Sequence, residues 1–242
     1  KQIFFLAVLL SPICLFSPIA FCVFFCCILS NFPLLFLLLF CHFCRLPVYV
    51  YSESLCPDCR GYITNMLYPS SVLLGDIMDL TVVPYGNAQE SFDGQRYVFT
   101  CQHGEQECLG NMIQACLLNL TKTNAFNIIF CMEAAVNVIQ AAKPLFAPQL
   151  SYEKLMSCVK GDLGNHLMHQ NALKTEALKP PHTFVPWITI NGIHTDDLQK
   201  KAMSSLIPLV CSMYKLCGKC IKTATITRMK AQQKCDKKAT KT

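Results

Sequence analysis

Two cysteines two residues apart, Cys56-Pro57-Asp58-Cys59, come five residues after the run Leu46-Pro47-Val48-Tyr49-Val50-Tyr51. That run is β-branched and aromatic, so it reads as a strand. Residues 60–67 follow the pair with helix formers near their end, and Asp79-Leu80-Thr81-Val82-Val83 reads as a second strand. Strand, helix and strand in that order predict a βαβ unit, which makes the two strands parallel and joins them by a crossover. The cysteine pair is thereby fixed at the strand-to-helix turn.

The rest of the chain extends that unit. Tyr97-Val98-Phe99-Thr100 reads as a short strand. Residues 106–120 and 123–142 carry apolar side chains at helical spacing, and Pro144 and Pro148 close the second stretch. Ser151 reads as the N-cap of another short helix, broken by Gly161 and Gly164, and a further helix is expected over 166–178. β pattern returns at Phe184-Val185-Pro186-Trp187-Ile188-Thr189-Ile190, and Asn191-Gly192 is a strong hairpin signal. Thr195 then caps a helix whose first turn holds Asp196 and Asp197, which suit the positive end of its dipole. Leu198, Ala202, Leu206 and Leu209 are spaced for one buried face, which leaves Lys200 and Lys201 in water. The predicted fold is α/β: a thioredoxin-like sheet with a helical insertion at about 101–180. Within the insertion, Cys101, Cys108, Cys116, Cys131 and Cys158 predict disulfide bridging.

A C-x-x-C pair beside a βαβ unit points to thiol–disulfide exchange. Only a thiolate attacks a disulfide, and a free thiol has a pKa near 8.5. At a helix N-terminus, unsatisfied N–H groups and the dipole favour the thiolate. Cys56 is expected there, with Pro57 at the first helical position, where its missing N–H costs nothing. Cys59, one turn further in and buried, would resolve the mixed disulfide. Asp58 opposes this, since a nearby carboxylate disfavours a thiolate. Val185-Pro186 stands where a thioredoxin-type fold places a cis proline facing the pair; an ordinary trans proline at a strand start is the alternative. Val185, Pro186 and Trp187 are the expected substrate-binding residues, although core packing suits Trp187 equally. His103, beside Gly104 and near two glutamates, reads as structural or solvent-facing ahead of a proton carrier.

Two blander readings concern the same pair. Cys217-Gly218-Lys219-Cys220 is a second C-x-x-C, so a four-cysteine zinc site is conceivable. However, 157 residues separate the pairs, against about 15–20 in ribbon-type sites. A purely structural Cys56–Cys59 bridge would be short and strained.

Composition sets the surroundings. From Gln2 to Cys44 there is no Lys, Arg, Asp or Glu in 43 residues, whereas residues 215–242 hold nine basic residues and one acidic. The tail thus carries +8 of a net +6, and everything before it sums to −2. That excludes a basic body of the kind that binds nucleic acid. The expected division is an apolar signal sequence or membrane anchor over 1–45, a globular domain over 46–214, and a disordered basic tail over 215–242. Six of the 17 cysteines lie in the leader and eleven follow. An entry signal with so many cysteines fits the oxidising secretory route, as does the glycosylation sequon at Asn119. Eleven is odd, so at least one thiol stays unpaired or pairs with another molecule.

One stretch is more specific. Cys101-Gln102-His103-Gly104-Glu105-Gln106-Glu107-Cys108-Leu109-Gly110-Asn111, ending at Cys116, reads C-Q-H-G-x-x-E-C-x-x-N-x-x-x-x-C. It resembles the signature of the gamma-interferon-inducible lysosomal thiol reductase family, and the resemblance spans about 46–220. It implies an enzyme that reduces protein disulfides in acidic endosomes and lysosomes, or after secretion, with Cys56 and Cys59 catalytic and no cofactor or metal. Its partners would be disulfide-containing proteins. The signature cysteines are implied to be structural, so the bridge candidates are Cys101, Cys108, Cys116, Cys131, Cys158, Cys211 and Cys220, with the partner of Cys211 left open by the extra cysteines of the tail. The alternative function is a bridged, non-enzymatic binding module, secreted or membrane-tethered.

Overall fold

A computed structural model of the chain describes residues 45–121, 124–142 and 151–217. The apolar leader up to Cys44, Pro144, Pro148, Cys220 and the other residues of 218–242 lie outside these residues, whereas 215–217, expected in the disordered tail, continue the last helix. Strand β1 (Leu46–Ser52) occupies the centre of a three-stranded sheet. It pairs in parallel with β2 (Met78–Pro84) and antiparallel with β5 (Trp187–Ile190), in the order β2-β1-β5. The crossover from β1 to β2 consists of α1 (Pro57–Tyr62), a π-helical turn (Ile63–Leu67) and α2 (Tyr68–Leu74).

The crossover and the last helix, α8 (Asp196–Cys217), cover one sheet face. Val48, Val50, Val82, Ile188 and Ile190 from the sheet meet Tyr62, Ile63, Leu67, Ala202, Leu206 and Val210. Leu67 and Leu206 have no exposed surface, and truncating such a leucine to alanine costs about 2–5 kcal/mol. Thr195 caps α8 by accepting the Leu198 N–H at 3.1 Å, and Lys201 reaches back to Asp197 at 2.7 Å on the exposed side. The helix bends where Ser205 leaves helical geometry and Pro208 interrupts the ladder.

Between β2 and β5 lie a small hairpin, β3 (Gln89–Phe92) and β4 (Tyr97–Thr100), and then helices α3 (Glu105–Thr121), α4 (Ala125–Ala134), α5 (Val138–Ala141), α6 (Tyr152–Lys160) and α7 (Asp162–Glu176). The fold is therefore α/β, a thioredoxin-like sheet with a bridged helical insertion. The helices have a core of their own, in which Ile113, Leu117, Ile129, Met132 and Leu155 are buried. Cys116–Cys158 ties α3 to α6, and Cys101–Cys108 ties the end of β4 to the first turns of α3.

Several local expectations are corrected. Strand β3 was not expected, because Gln-Glu-Ser-Phe has no β-branched residue and lies mostly exposed. The helix expected over 123–142 is two, since Asn137 adopts extended backbone and caps α5 by accepting the Gln140 N–H. Gly161 does end α6, but Gly164 lies inside α7, where a side chain would collide with the Cys158 carbonyl. The final hairpin is one strand, a turn with Asn191 and Gly192 at positive φ, and a single bridge between Ile190 and Ile193. Cys131, expected in a bridge, is a free thiol: Cys116 is taken by Cys158 and Cys101 by Cys108.

Candidate active site

Strand β1 delivers the cysteine pair to the carboxyl end of the sheet. Cys56 is the N-cap of α1, with extended backbone (φ −62°, ψ 121°), and Pro57 opens the helix. The Cys59 main-chain N–H donates to the Cys56 sulfur at 3.3 Å. Both thiols are free. Cys59 has no exposure and Cys56 retains 7 %, whereas Pro57 and Asp58 are exposed. Cys56 thus lies just beneath the surface rather than projecting from it.

Val185 supplies the cover. Its carbonyl lies 3.9 Å from the Cys56 sulfur, and it packs with the two cysteines. The Val185–Pro186 peptide is cis. Trp187, on the strand that follows, is 4 % exposed and stacks on His194. It is therefore a core residue and not a groove lining; Phe184, which was not singled out in the sequence, is the exposed aromatic of this segment. Gln199 on α8 fixes the segment by donating to the Pro186 carbonyl at 2.9 Å and accepting the Ile188 N–H at 3.0 Å.

The electrostatics separate the two sulfurs. The Cys56 thiol is lowered to about 6, first by its hydrogen bond with the Cys59 side chain and then by the N–H groups of Cys59 and Asp58. Burial and the Asp58 carboxylate act the other way. The same side-chain hydrogen bond, with burial, pushes Cys59 far above the ordinary thiol range. One sulfur is built to ionise and the other to stay protonated.

The helical insertion holds this turn in place. Asn111 on α3 accepts the Ser54 N–H at 2.8 Å and its amide lies 3.4 Å from the Tyr85 carbonyl. The Ser54 hydroxyl donates to the Glu107 carbonyl at 3.2 Å. Gly110 permits this approach, because a side chain there would collide with Ser54. On the other side, Arg60 of α1 donates to the Glu133 carbonyl at 3.1 Å and to that of Ala135, so it caps the end of α4. The Arg60 guanidinium lies 3.6 Å from the Glu133 carboxyl. Burial nevertheless raises Glu133 to about 8, which outweighs Arg60 and the contact with Gln114. A cleft of about 580 Å³ opens beside α1, lined by Pro57, Arg60, Thr64, Asn65 and Phe130.

Glu53, His103 and Glu107 bring three donor atoms within 4.8 Å of one another. The imidazole Nδ1 is in direct hydrogen-bond contact with Glu107, so the trio is a hydrogen-bonded group and not an open cation cage. Sequence reading set His103 aside and missed Glu53, Glu107, Arg60 and Glu133. The signal available was the position of Glu53 three residues before Cys56 and of Glu107 inside the signature. Exposed Asn119 lies near the end of α3. Cys211 is disulfide-bonded.

Residues 47–161 match the family model described as gamma interferon inducible lysosomal thiol reductase. The chain is 54 % identical to the gamma-interferon-inducible lysosomal thiol reductase of Carassius auratus, covering 74 % of each. It belongs to the gamma interferon inducible lysosomal thiol reductase family. The reductase of the same name from Mus musculus is 43 % identical over 69 % of this chain and 67 % of that one. The Arabidopsis thaliana protein named gamma-interferon-responsive lysosomal thiol protein is 35 % identical. The crystal structure of Chlamydia trachomatis DsbA aligns with a TM-score of 0.46 at 11 % identity, over 69 % of this chain and 89 % of that one. As a member of this family the chain is a thiol-disulfide reductase.

Proposed function

We propose that the chain reduces protein disulfides through Cys56 and Cys59 in an acidic endosomal, lysosomal or secreted setting. Cys56 attacks a substrate disulfide and forms a mixed disulfide. Cys59 then attacks the Cys56 sulfur, which releases the reduced substrate and leaves a Cys56–Cys59 bond. Val185 and cis-Pro186 bound the substrate's approach, and the substrate chain continues toward the cleft beside α1. The reductase domain is residues 46–214, and Asn119 is the sugar acceptor.

The observation that carries this reading is the placement of a free Cys56 at the α1 N-cap beside Val185–Pro186, with its thiol at about 6. At pH 5 an unperturbed thiol is only about three parts in ten thousand thiolate. A thiol at about 6 is roughly one tenth thiolate, a gain of about three-hundredfold. Such a shift lets the exchange run where ordinary thiols are silent.

Insulin reduction at pH 5 and pH 7 tests the assignment. Cys56→Ser should abolish turnover, by about a thousandfold or more. Cys59→Ser should retain the first attack and accumulate a mixed disulfide. Turnover that survives Cys56→Ser sinks the reading.

A further inference from the structure

The cleft beside α1 begins one residue from the reacting sulfur. Pro57 follows Cys56 directly and forms part of the cleft wall, about 3.8 Å away from Cα to Cα. The Arg60 N–H donates to the Cys56 carbonyl at 3.0 Å, so the helix that carries the sulfur is also one side of the cleft. Cys56 itself is nearly buried beside Val185, and a substrate cysteine must reach inward to meet it. Neighbouring residues of an extended substrate follow at about 3.3–3.6 Å each. The side chain next to the substrate cysteine, or the one after it, therefore comes level with Pro57 and the cleft.

The lining suits a flat apolar group. Phe130 of α4 stacks on Tyr68 of α2, with ring centroids 3.9 Å apart and planes 13° from parallel. Gly61 lies on the α1 side, and a Cβ built there would meet nothing within 4 Å. Glycine inside a helix is less favourable than alanine, and here it leaves open a space that any other side chain would enter. Past Ala134 the turn after α4 is pinned by Arg60 on the Ala135 carbonyl, yet Val136 stands wholly exposed and extends the apolar border. Charge narrows the choice further. Paired guanidinium N–H groups grip a carboxylate, but the Arg60 Nε and Nη2 groups already donate to the Glu133 and Ala135 carbonyls. With that fork spent, Arg60 is a held planar cation, and an aromatic ring is the partner such a group stacks on. Glu133, raised to about 8 by burial, is protonated in acid and adds no competing charge.

We infer that the cleft lined by Pro57, Arg60, Gly61 and Phe130 takes an aromatic side chain that flanks the target cysteine, and so sets which disulfides Cys56 attacks. This rests on Cys56 as the attacking thiol. The seated ring fills the space left at Gly61, meets Phe130 and Arg60, and sheds its water. The energy gathered there holds the substrate sulfur at a recessed Cys56 before any bond changes, so the gain falls on KM more than on kcat. An acidic neighbour gains little, because the Arg60 fork is occupied.

Homodimeric disulfides of short peptides, Ala-Xaa-Cys-Xaa-Ala with phenylalanine, leucine, glutamate, lysine or alanine at Xaa, test the subsite. The full chain reduces them at pH 5 with dithiothreitol as the reductant, and chromatography reads the freed thiol. The phenylalanine peptide should exceed the alanine peptide about tenfold in kcat/KM, mostly through KM. Leucine should fall between them, and glutamate and lysine should do no better than alanine. Gly61→Leu fills the cleft without a collision at its Cβ, so it should bring the ratio to about one with no fall in the unfolding midpoint. Phe130→Ala should cut the ratio to about threefold. If Gly61→Leu fails to fold, Phe130→Ala decides, since a packing defect slows every peptide alike and leaves the ratio where it was. A wild-type ratio near one, a full preference in either folded variant, or a lead taken by any other peptide overturns the aromatic subsite. Turnover of the peptides by Cys56→Ser would instead overturn the assignment of the attacking thiol, and the inference with it.

Discussion

Among the described residues two cysteine pairs sit at strand-to-helix turns, and they have opposite fates. Cys56 and Cys59 follow β1 and open α1 as free thiols; Cys101 and Cys108 follow β4, reach into α3, and are bridged. In the first pair the helix begins at the cysteine, so the Cys59 N–H points at the Cys56 sulfur and lowers its pKa. In the second the helix begins at Glu105, three residues before Cys108, whose sulfur instead lies 3.6 Å from the Phe99 carbonyl, an acceptor that gives a thiolate no support. Cysteine spacing alone does not make a redox site. The register of the sulfur against the helix terminus does.

The structural pairs should yield the largest effects on stability. Cys116–Cys158 closes a loop of 42 residues and Cys101–Cys108 one of 7. Loop-closure entropy gives about 4 kcal/mol for the first and about 2 kcal/mol for the second. Denaturant unfolding of the two double Cys→Ser variants should therefore rank them in that order. Both should keep the Cys56 titration near its wild-type midpoint, measured by alkylation rate against pH. A Cys101/Cys108 variant that folds but loses the low Cys56 midpoint would make that bridge part of the redox site and erase the contrast.

Cys59→Ala should come next. The Cys59 side chain is the largest influence lowering Cys56, so the alkylation midpoint should climb from about 6 by more than one unit, which is about 1.4 kcal/mol per unit. The sign also fixes a stability trend. A thiol depressed in the fold stabilises the reduced protein above its unfolded pKa, and that stabilisation fades as pH falls through about 6. In Cys59→Ala the pH dependence of unfolding should weaken over that window; an unchanged profile would assign the depression to the backbone alone.

What was legible in the sequence followed from local chemistry. The βαβ unit, the N-caps at Ser151 and Thr195, and the cis proline's place could all be read from a few neighbouring residues. What was not legible depends on contacts between distant segments. Ser54 meets Asn111 across 57 residues, and Arg60 meets the end of α4 across more than seventy. Glu53 looks like an ordinary loop carboxylate until His103 and Glu107 are folded against it. Cys131 looked like a bridge candidate because an odd count of cysteines does not say which one is left over. Trp187 looked equally suited to groove and core, and its stacking on His194 decides for the core.

The smallest effect is the one that tests the helix terminus most directly. Asp58 acts on Cys56 twice: its main-chain N–H lowers the thiol and its carboxylate raises it. Asp58→Asn removes the second influence and keeps the first. The side chain is exposed, so water screens its charge and the Cys56 midpoint should fall by only a few tenths of a unit, up to about a twofold gain in thiolate at pH 5. Salt discriminates the cause. In the wild type, raising ionic strength to about 1 M should lower the midpoint toward that of the variant, since a Debye length of about 3 Å quenches an exposed carboxylate, while Asp58→Asn should hardly respond. A midpoint that rises in Asp58→Asn would mean the carboxylate stabilises the first turn of α1 more than it repels the thiolate. The N–H groups and the Cys59 thiol would then owe part of their effect to a residue that Coulomb's law alone counts against them.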